Sequence, residues 1–208
     1  VLDRSVKGTA GTPGYSIALG PGWVQTATMK DSGILETAKQ AARRAARLQR
    51  ERFGDPGRVD FKGGAELVTE VDVASERLIV ALIRERYPDH DVLGEESGAT
   101  DQGSPHRWII DPLDGTTNFA HGFPVFAVSI AYAFEGVVQA AACAMPMWDQ
   151  LFWGARGRGA YLGERRIRVS DQGDFSRALL ATGFPSDQQT GAPDNFALFS
   201  RVSKQVQA

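Results

Sequence analysis

From Gly33 to Phe53 the residues Ile34, Leu35, Ala38, Ala41, Ala42, Ala45 and Leu48 recur at three- and four-residue spacing. That period predicts one apolar face of a long helix. Asp31 or Ser32 supplies a start signal, and Gly54 followed by Pro56 supplies the stop. A second stripe, Leu78, Ile79, Leu82 and Ile83, predicts a helix from about Val73 to Tyr87 that ends at Pro88. Strand-like runs follow at Asp91 to Leu93, Arg107 to Ile110, Val125 to Phe134 and Val137 to Ala144. Glu135-Gly136, between the last two, predicts an antiparallel hairpin. Leu151 to Trp153, Gly159 to Leu162 and Ile167 to Val169 extend the sheet through Gly-rich turns, with a further strand expected at Leu179 to Thr182 and a helix at Phe196 to Val206. Helices first and a meander of strands afterwards predict an α+β layer structure, a helix pair packed on a largely antiparallel sheet. Residues 28–175 form that unit in this reading, and 176–208 only the beginning of a second α/β subdomain. Residues 1–27 mix Gly, Pro, Ser and Thr without a period and are expected to form a poorly ordered tail.

Composition narrows the function classes. A chain of 208 residues with 42% hydrophobic and 23% charged positions can bury a sizeable core. No run approaches the roughly 20 apolar residues of a membrane helix, and no signal-peptide pattern opens the chain, so a cytoplasmic location is expected. With 25 acids against 23 bases the net charge is −2, which gives no global reason to expect nucleic acid or acidic lipid as a partner. One local exception is the helix face with Lys39, Arg43, Arg44, Arg47, Arg50 and Arg52, opposed in that stretch by Glu51 alone. It reads either as a phosphate- or RNA-seeking patch or, because no aromatics interleave the charges, as a solvated face with Arg near the favourable helix end. The single cysteine, Cys143, excludes an internal disulfide and a multi-thiolate zinc site, and in its apolar strand it reads as core. His90, His106 and His121 lack ligand spacing and are expected to be solvated loop residues, while Phe123, Phe126 and Phe134 are expected in sheet and core. Gly157 and Gly159 fit a strand turn and not a dinucleotide loop, since no helix pattern follows.

The chemistry concentrates where an apolar strand runs into Asp111-Pro-Leu-Asp114-Gly-Thr-Thr-Asn118. Pro112 removes a ladder donor and Gly115 permits a tight turn. Thr116, Thr117 and Asn118 then offer hydroxyls, an amide and backbone N–H groups of the kind that cradle an anion. Two carboxylates beside N–H donors make sense if a hard cation such as Mg²⁺ and a phosphate share the site. Asp-Pro and Asp-Gly are also common turn pairs. A second strand ends in Gly94-Glu95-Glu96-Ser97, so strand ends deliver three or four acids with no Lys or Arg interposed, a repulsive cluster that cations relieve. Asp72 stands where the second helix begins, a natural capping position.

Together, Asp111 to Phe119 (DPLDGTTNF), Gly94 to Ser97 (GEES) sixteen residues upstream of Asp111, and Lys62 with Val68-Thr69 and Asp72 resemble the inositol monophosphatase family of magnesium-dependent, lithium-sensitive sugar phosphatases. The run from Leu151 to Ser170 is similar to a later stretch of the same family, and the resemblance covers about Ser32 to Ala208. It implies the layered sugar-phosphatase fold and more than one Mg²⁺. Glu95, Asp111 and the Leu113 carbonyl would ligate the first ion, Asp111 and Asp114 would share a second, and Glu95 would reach a further, weaker one. The N–H groups of Gly115 and Thr116 would hold the phosphate. Glu95 and the Thr116 hydroxyl, linked to Asp72, would orient and deprotonate the attacking water, making Glu95, Thr116 and Asp72 the catalytic set. Lys62 would lie near this network or on the surface. The resemblance also implies a homodimer acting on a small phosphate ester.

The family's later W-D-x-A-A motif, source of a third aspartate, is absent, and Trp148-Asp149 matches it only as a dipeptide at a strand start. The chain is therefore expected to be a piece of a longer product that binds magnesium weakly and hydrolyses little. Thr117-Asn118 after Asp-Gly-Thr resembles inositol monophosphatases and the dual inositol/fructose-bisphosphate phosphatases. Inositol 1-phosphate leads as substrate, with fructose 1,6-bisphosphate and histidinol phosphate as alternatives. A rival of another class is a non-catalytic, RNA- or transcription-associated regulator using the arginine face; the family resemblance admits it, since one bacterial relative associates with the transcription machinery.

Overall fold

Five alanines, Ala38, Ala41, Ala42, Ala45 and Ala46, line the buried side of helix α1 (Ser32–Arg52). With no bulk beyond Cβ, they let the helix lie close over a sheet whose facing positions are also small, Ala140, Ala142 and Ala144. The computed structural model describes residues 32–63, 66–100, 102–184 and 195–207. The expected tail over 1–27 and the Asp31 start signal fall outside them.

A hairpin of β1 (Val59–Gly63) and β2 (Glu66–Thr69) leads into α2 (Glu70–Arg86). An eight-stranded sheet follows, with β3 (Asp91–Gly94), β4 (Gly98–Thr100), β5 (His106–Asp114), β6 (Ala127–Phe134), β7 (Val137–Met145), β8 (Gln150–Ala155), β9 (Gly159–Leu162) and β10 (Arg165–Ile167). Its order is β10-β9-β8-β7-β6-β5-β3-β4, and the β3–β5 pair is its parallel one. Short α3 (Thr116–Ala120) leaves the end of β5, and α4 (Phe196–Val202) lies near the chain end. Both long helices cover one face, where Ile79 and Ile83 meet Trp108, Ile110, Val128 and Ile130. The expected α+β layering is what forms. The Glu135-Gly136 turn takes φ 48° and 77°, the left-handed pair that suits a tight hairpin.

Several local expectations need correction. Helix α2 starts three residues early, because Thr69 caps it and Asp72 completes a capping box. The β1–β2 hairpin and β4 carry too few apolar residues to show a period. Leu179 to Thr182 is not a strand; Leu179 is 80% exposed and no strand lies beside it among the described residues. The last sheet strand is Arg165–Ile167, with Val169 left 93% exposed. In α1 the fully buried residue near the end is Gln49, with Leu48 only partly covered. His90 and His106 are not solvated loop residues. Their rings stack at 4.4 Å beside Tyr87 and Tyr132, the buried Trp108 indole donates to His90 Nδ1 at 3.1 Å, and His106 Nδ1 meets the Tyr132 hydroxyl at 2.6 Å. Imidazole offers both a flat apolar face and a hydrogen-bonding edge, so it suits an aromatic wall that charge patterning does not reveal. Phe126 is core, but Phe123 is 57% exposed in the turn after α3, and Phe134 is exposed at its strand end against His106.

Ile79 is fully buried between α1 and the sheet. Ile79→Val is expected to lower stability by about 1 kcal/mol, the cost of one lost methylene and a small void, read from the midpoint shift in urea denaturation.

Candidate metal and phosphate site

Strand β5 ends in a bulge that sets the site. Asp111 pairs with Ser129 and Asp114 with Ala127, so three residues on β5 span two on β6. Pro112, lacking an N–H, sits at the break. In a regular strand carboxylates three apart would face opposite sides. The extra residue resets the alternation, and Asp111 and Asp114 share the face away from the helices. Gln49 fixes the bulge from beneath, its Nε2 donating to the Pro112 carbonyl at 2.6 Å.

The parallel β3–β5 pair brings in the next acid. Gly94 lies opposite Ile110, and the Glu95 N–H continues the pairing onto the Ile110 carbonyl at 3.2 Å, which sets Glu95 beside Asp111. The consequence is electrostatic. Burial, then the charge and hydrogen bonding of Glu95, then Asp114, push the Asp111 carboxyl from 3.8 up to about 7. Its Oδ1 is buried without a hydrogen-bond donor.

The cluster is not purely acidic in space. Lys62, arriving on β1, lies 3.1 Å from Glu95 Oε1 and 2.6 Å from Glu96 Oε1. Burial works against its charge, but hydrogen bonds to Glu96 and Glu95 outweigh it and hold the ammonium above the usual lysine range. Burial also raises Glu96, against the pull of Lys62. A cation absent from the linear neighbourhood is thus supplied by a hairpin thirty-three residues upstream of Glu95.

On the other side, Gly115 takes φ 96° as the cap of α3. The Thr116 hydroxyl lies 2.8 Å from Asp72 Oδ1 and 3.0 Å from the Leu113 carbonyl. Asp72 is buried, and its Oδ2 accepts the Thr69 N–H at 2.9 Å. Asp72 therefore serves the helix start and Thr116 at once. The Asn118 amide, expected among the anion donors, is committed to the Val125 carbonyl at 2.7 Å. Beneath the loop, Val71, Leu113, Phe119 and Phe126 form a small separate core joined by Phe53.

Cys143 is only half-buried and lies opposite Ser129, on the carboxylate face and not in the helix-covered core. Burial first, then Asp114 and Asp111, raise its thiol. Asp149 is turned to Arg50 at 3.8 Å, with its side chain 93% exposed. Arg43, Arg44, Arg47 and Arg50 of α1 are exposed, and the first three line a groove with Arg86, Gln40 and Glu36.

The donor set suits a hard divalent ion, being all oxygen and carrying a buried carboxylate oxygen with no proton to bond. As the side chains stand, Glu95 is turned to Lys62. Among the described residues no three Asp, Glu, His or Cys side chains converge as a ready-made metal cage.

Comparison with known proteins agrees with this architecture. Residues 30–208 match the model of the inositol monophosphatase family. A fructose-1,6-bisphosphatase/inositol-1-monophosphatase of Aquifex aeolicus is 43% identical over 83% of this chain and 66% of its own length. Nus factor SuhB of Pseudomonas aeruginosa is 45% identical over 78% of this chain and 62% of its own. The crystal structure of extragenic suppressor protein suhB from Bartonella henselae superposes with a TM-score of 0.79 at 36% identity, covering 85% of this chain and 69% of that one. The chain thus spans a little under two thirds of the length of these two curated relatives. Fold, motifs and family match agree, and the chain belongs to the inositol monophosphatase family.

Proposed function

We propose that the chain carries the metal and phosphate half of a Mg²⁺-dependent phosphomonoesterase acting on a sugar or polyol phosphate, with inositol 1-phosphate as the leading substrate. The observation that carries the reading is the Asp111 carboxyl, raised to about 7 by burial, Glu95 and Asp114, with a buried oxygen lacking a donor. Glu95, Asp111, Asp114 and the Leu113 carbonyl would hold the ions. Bound Mg²⁺ would neutralise the phosphate, make water more acidic and stabilise the leaving alkoxide. Gly115 and Thr116 present the N–H groups of a helix start to the phosphate oxygens. Asp72 orients the Thr116 hydroxyl, which leaves Glu95 and Thr116 to align a water and take its proton. Lys62 balances Glu95 and Glu96 when their charge is not otherwise met.

The bifunctional name of the Aquifex aeolicus relative supports fructose 1,6-bisphosphate as the nearest alternative substrate, with histidinol phosphate behind it. The test is phosphate release from the three esters with Mg²⁺ or with EDTA, using the Aquifex aeolicus enzyme as a positive control. Slow Mg²⁺-dependent release from inositol 1-phosphate, lost in Asp111→Asn, is expected. Release unaffected by EDTA or by that substitution would overturn the reading.

The name of the Pseudomonas aeruginosa relative and the exposed arginines of α1 favour a second reading, a regulator that contacts RNA. Salt-dependent RNA binding that survives Asp111→Asn would support it.

A further inference from the structure

Glu76 lies one helical turn beyond Asp72 on α2, and the two are buried at 4% and 1% exposure. Its Oε2 accepts the Glu96 N–H and its Oε1 the Ser97 N–H, both at 2.9 Å. Gly94 leaves room for this carboxylate, since a Cβ there would collide with Oε2 and Cδ of Glu76. Asp72, on the same helix side, holds the Thr116 hydroxyl. One side of α2 therefore grips both halves of the site, the turn with Glu95 and the loop with Asp114 to Thr116.

A carboxylate this deeply buried is costly unless hydrogen-bonded, and two N–H donors aimed at its two oxygens give it charge-assisted bonds. On the far side of those bonds the turn is open, with Glu95, Ser97 and Gly98 exposed. The clamp thus fixes the backbone of the turn that carries Glu95, between Asp111 on one side and Lys62 on the other. Motif reading overlooked Glu76, although its spacing of four from Asp72 places it on the same helix face.

We infer that Glu76 is a positioning residue for metal binding: it locks the Glu95–Ser97 turn so that the Glu95 carboxylate is presented to the ion held by Asp111. This rests on the metal reading above. Supporting residues one step removed from a ligand typically contribute 10- to 100-fold in metal affinity.

Two variants separate the clamp from mere folding. Glu76→Gln replaces one acceptor by a donor facing an N–H. Gly94→Ala keeps the charge and pushes the carboxylate off its partners. In the 208-residue chain, Mg²⁺ affinity by calorimetry and amide exchange by NMR without metal are measured for both. The expected result is a roughly 10-fold or greater loss of Mg²⁺ affinity in each. The Glu96 and Ser97 amides exchange faster while those of β6 keep their protection. Wild-type Mg²⁺ affinity in both variants, or unchanged Glu96 and Ser97 exchange, overturns the inference while leaving the metal reading intact. Loss of β6 protection in both assigns Glu76 a purely structural role and overturns it as well. A wild-type chain with no Mg²⁺ response overturns the metal reading itself.

Discussion

Asp111→Asn is expected to melt above the wild-type protein in EDTA at pH 8 and to lose the stabilisation that Mg²⁺ gives the wild type. In the folded chain the Asp111 proton leaves near pH 7, against 3.8 for an ordinary aspartate. Between those values the folded state binds more protons than the unfolded one, so stability falls as pH rises. Metal-free wild type should therefore be most stable near pH 4 with respect to this group and lose that contribution by about pH 7. The full shift corresponds to about 4 kcal/mol, and solvent on the open face reduces it to about 1–2 kcal/mol. Asparagine carries no charge to bury and removes the slope. Mg²⁺ at a hundredfold over its Kd adds about 2.7 kcal/mol to a chain that binds it only when folded. Thermal melts from pH 4 to 8, with and without Mg²⁺, check both signs. A flat wild-type profile, or a Mg²⁺ response retained in the variant, contradicts the charge cluster.

Gly115→Ala is expected to lose phosphate binding and about 2–4 kcal/mol of stability. At φ 96° any side chain strains the backbone, at about 1–3 kcal/mol. The new Cβ would also lie 3.1 Å from the Val125 carbonyl and 3.3 Å from Phe126 Cβ, neighbours fixed by the Asn118 amide and by the small aromatic core. Relief requires moving the Gly115 and Thr116 N–H groups, the proposed phosphate donors. Gly122→Ala is the control: φ is 71° there, but nothing lies within 4 Å of the added carbon, so only the backbone cost is expected. Urea denaturation and phosphate titration separate the two. Equal losses at both positions would show that packing under the loop does not matter.

The layered fold was legible because its signals are periodic. The stripe from Ile34 to Ala45 and the alternation of β5 to β7 each repeat over enough residues to set helix against strand. Asp111, Asp114 and Glu95 were legible because acids gathered at the ends of two apolar strands repel one another unless a cation relieves them. Glu76 and Gln49 were not, because each acts through partners distant in the chain, and Lys62 was placed near the site only by the family resemblance. Lys62 meets Glu95 only once the β1–β2 hairpin has folded, and Gln49 meets Pro112 only across the α1–β5 contact. The histidine stack escaped for a similar reason: His90 and His106 are neighbours only through the parallel β3–β5 pairing.

The two border strands of the main sheet have a consequence for how copies of the chain meet. β4 and β10 are three residues long; β4 is exposed throughout and contains Gly98, and β10 carries Arg165 and Arg166. Such borders offer few free ladder positions and repel a like border at Arg165 and Arg166, which discourages growth of a continuous sheet from molecule to molecule. Self-association would then proceed through side-chain surfaces, leaving the chain resistant to fibrillar aggregation from these borders.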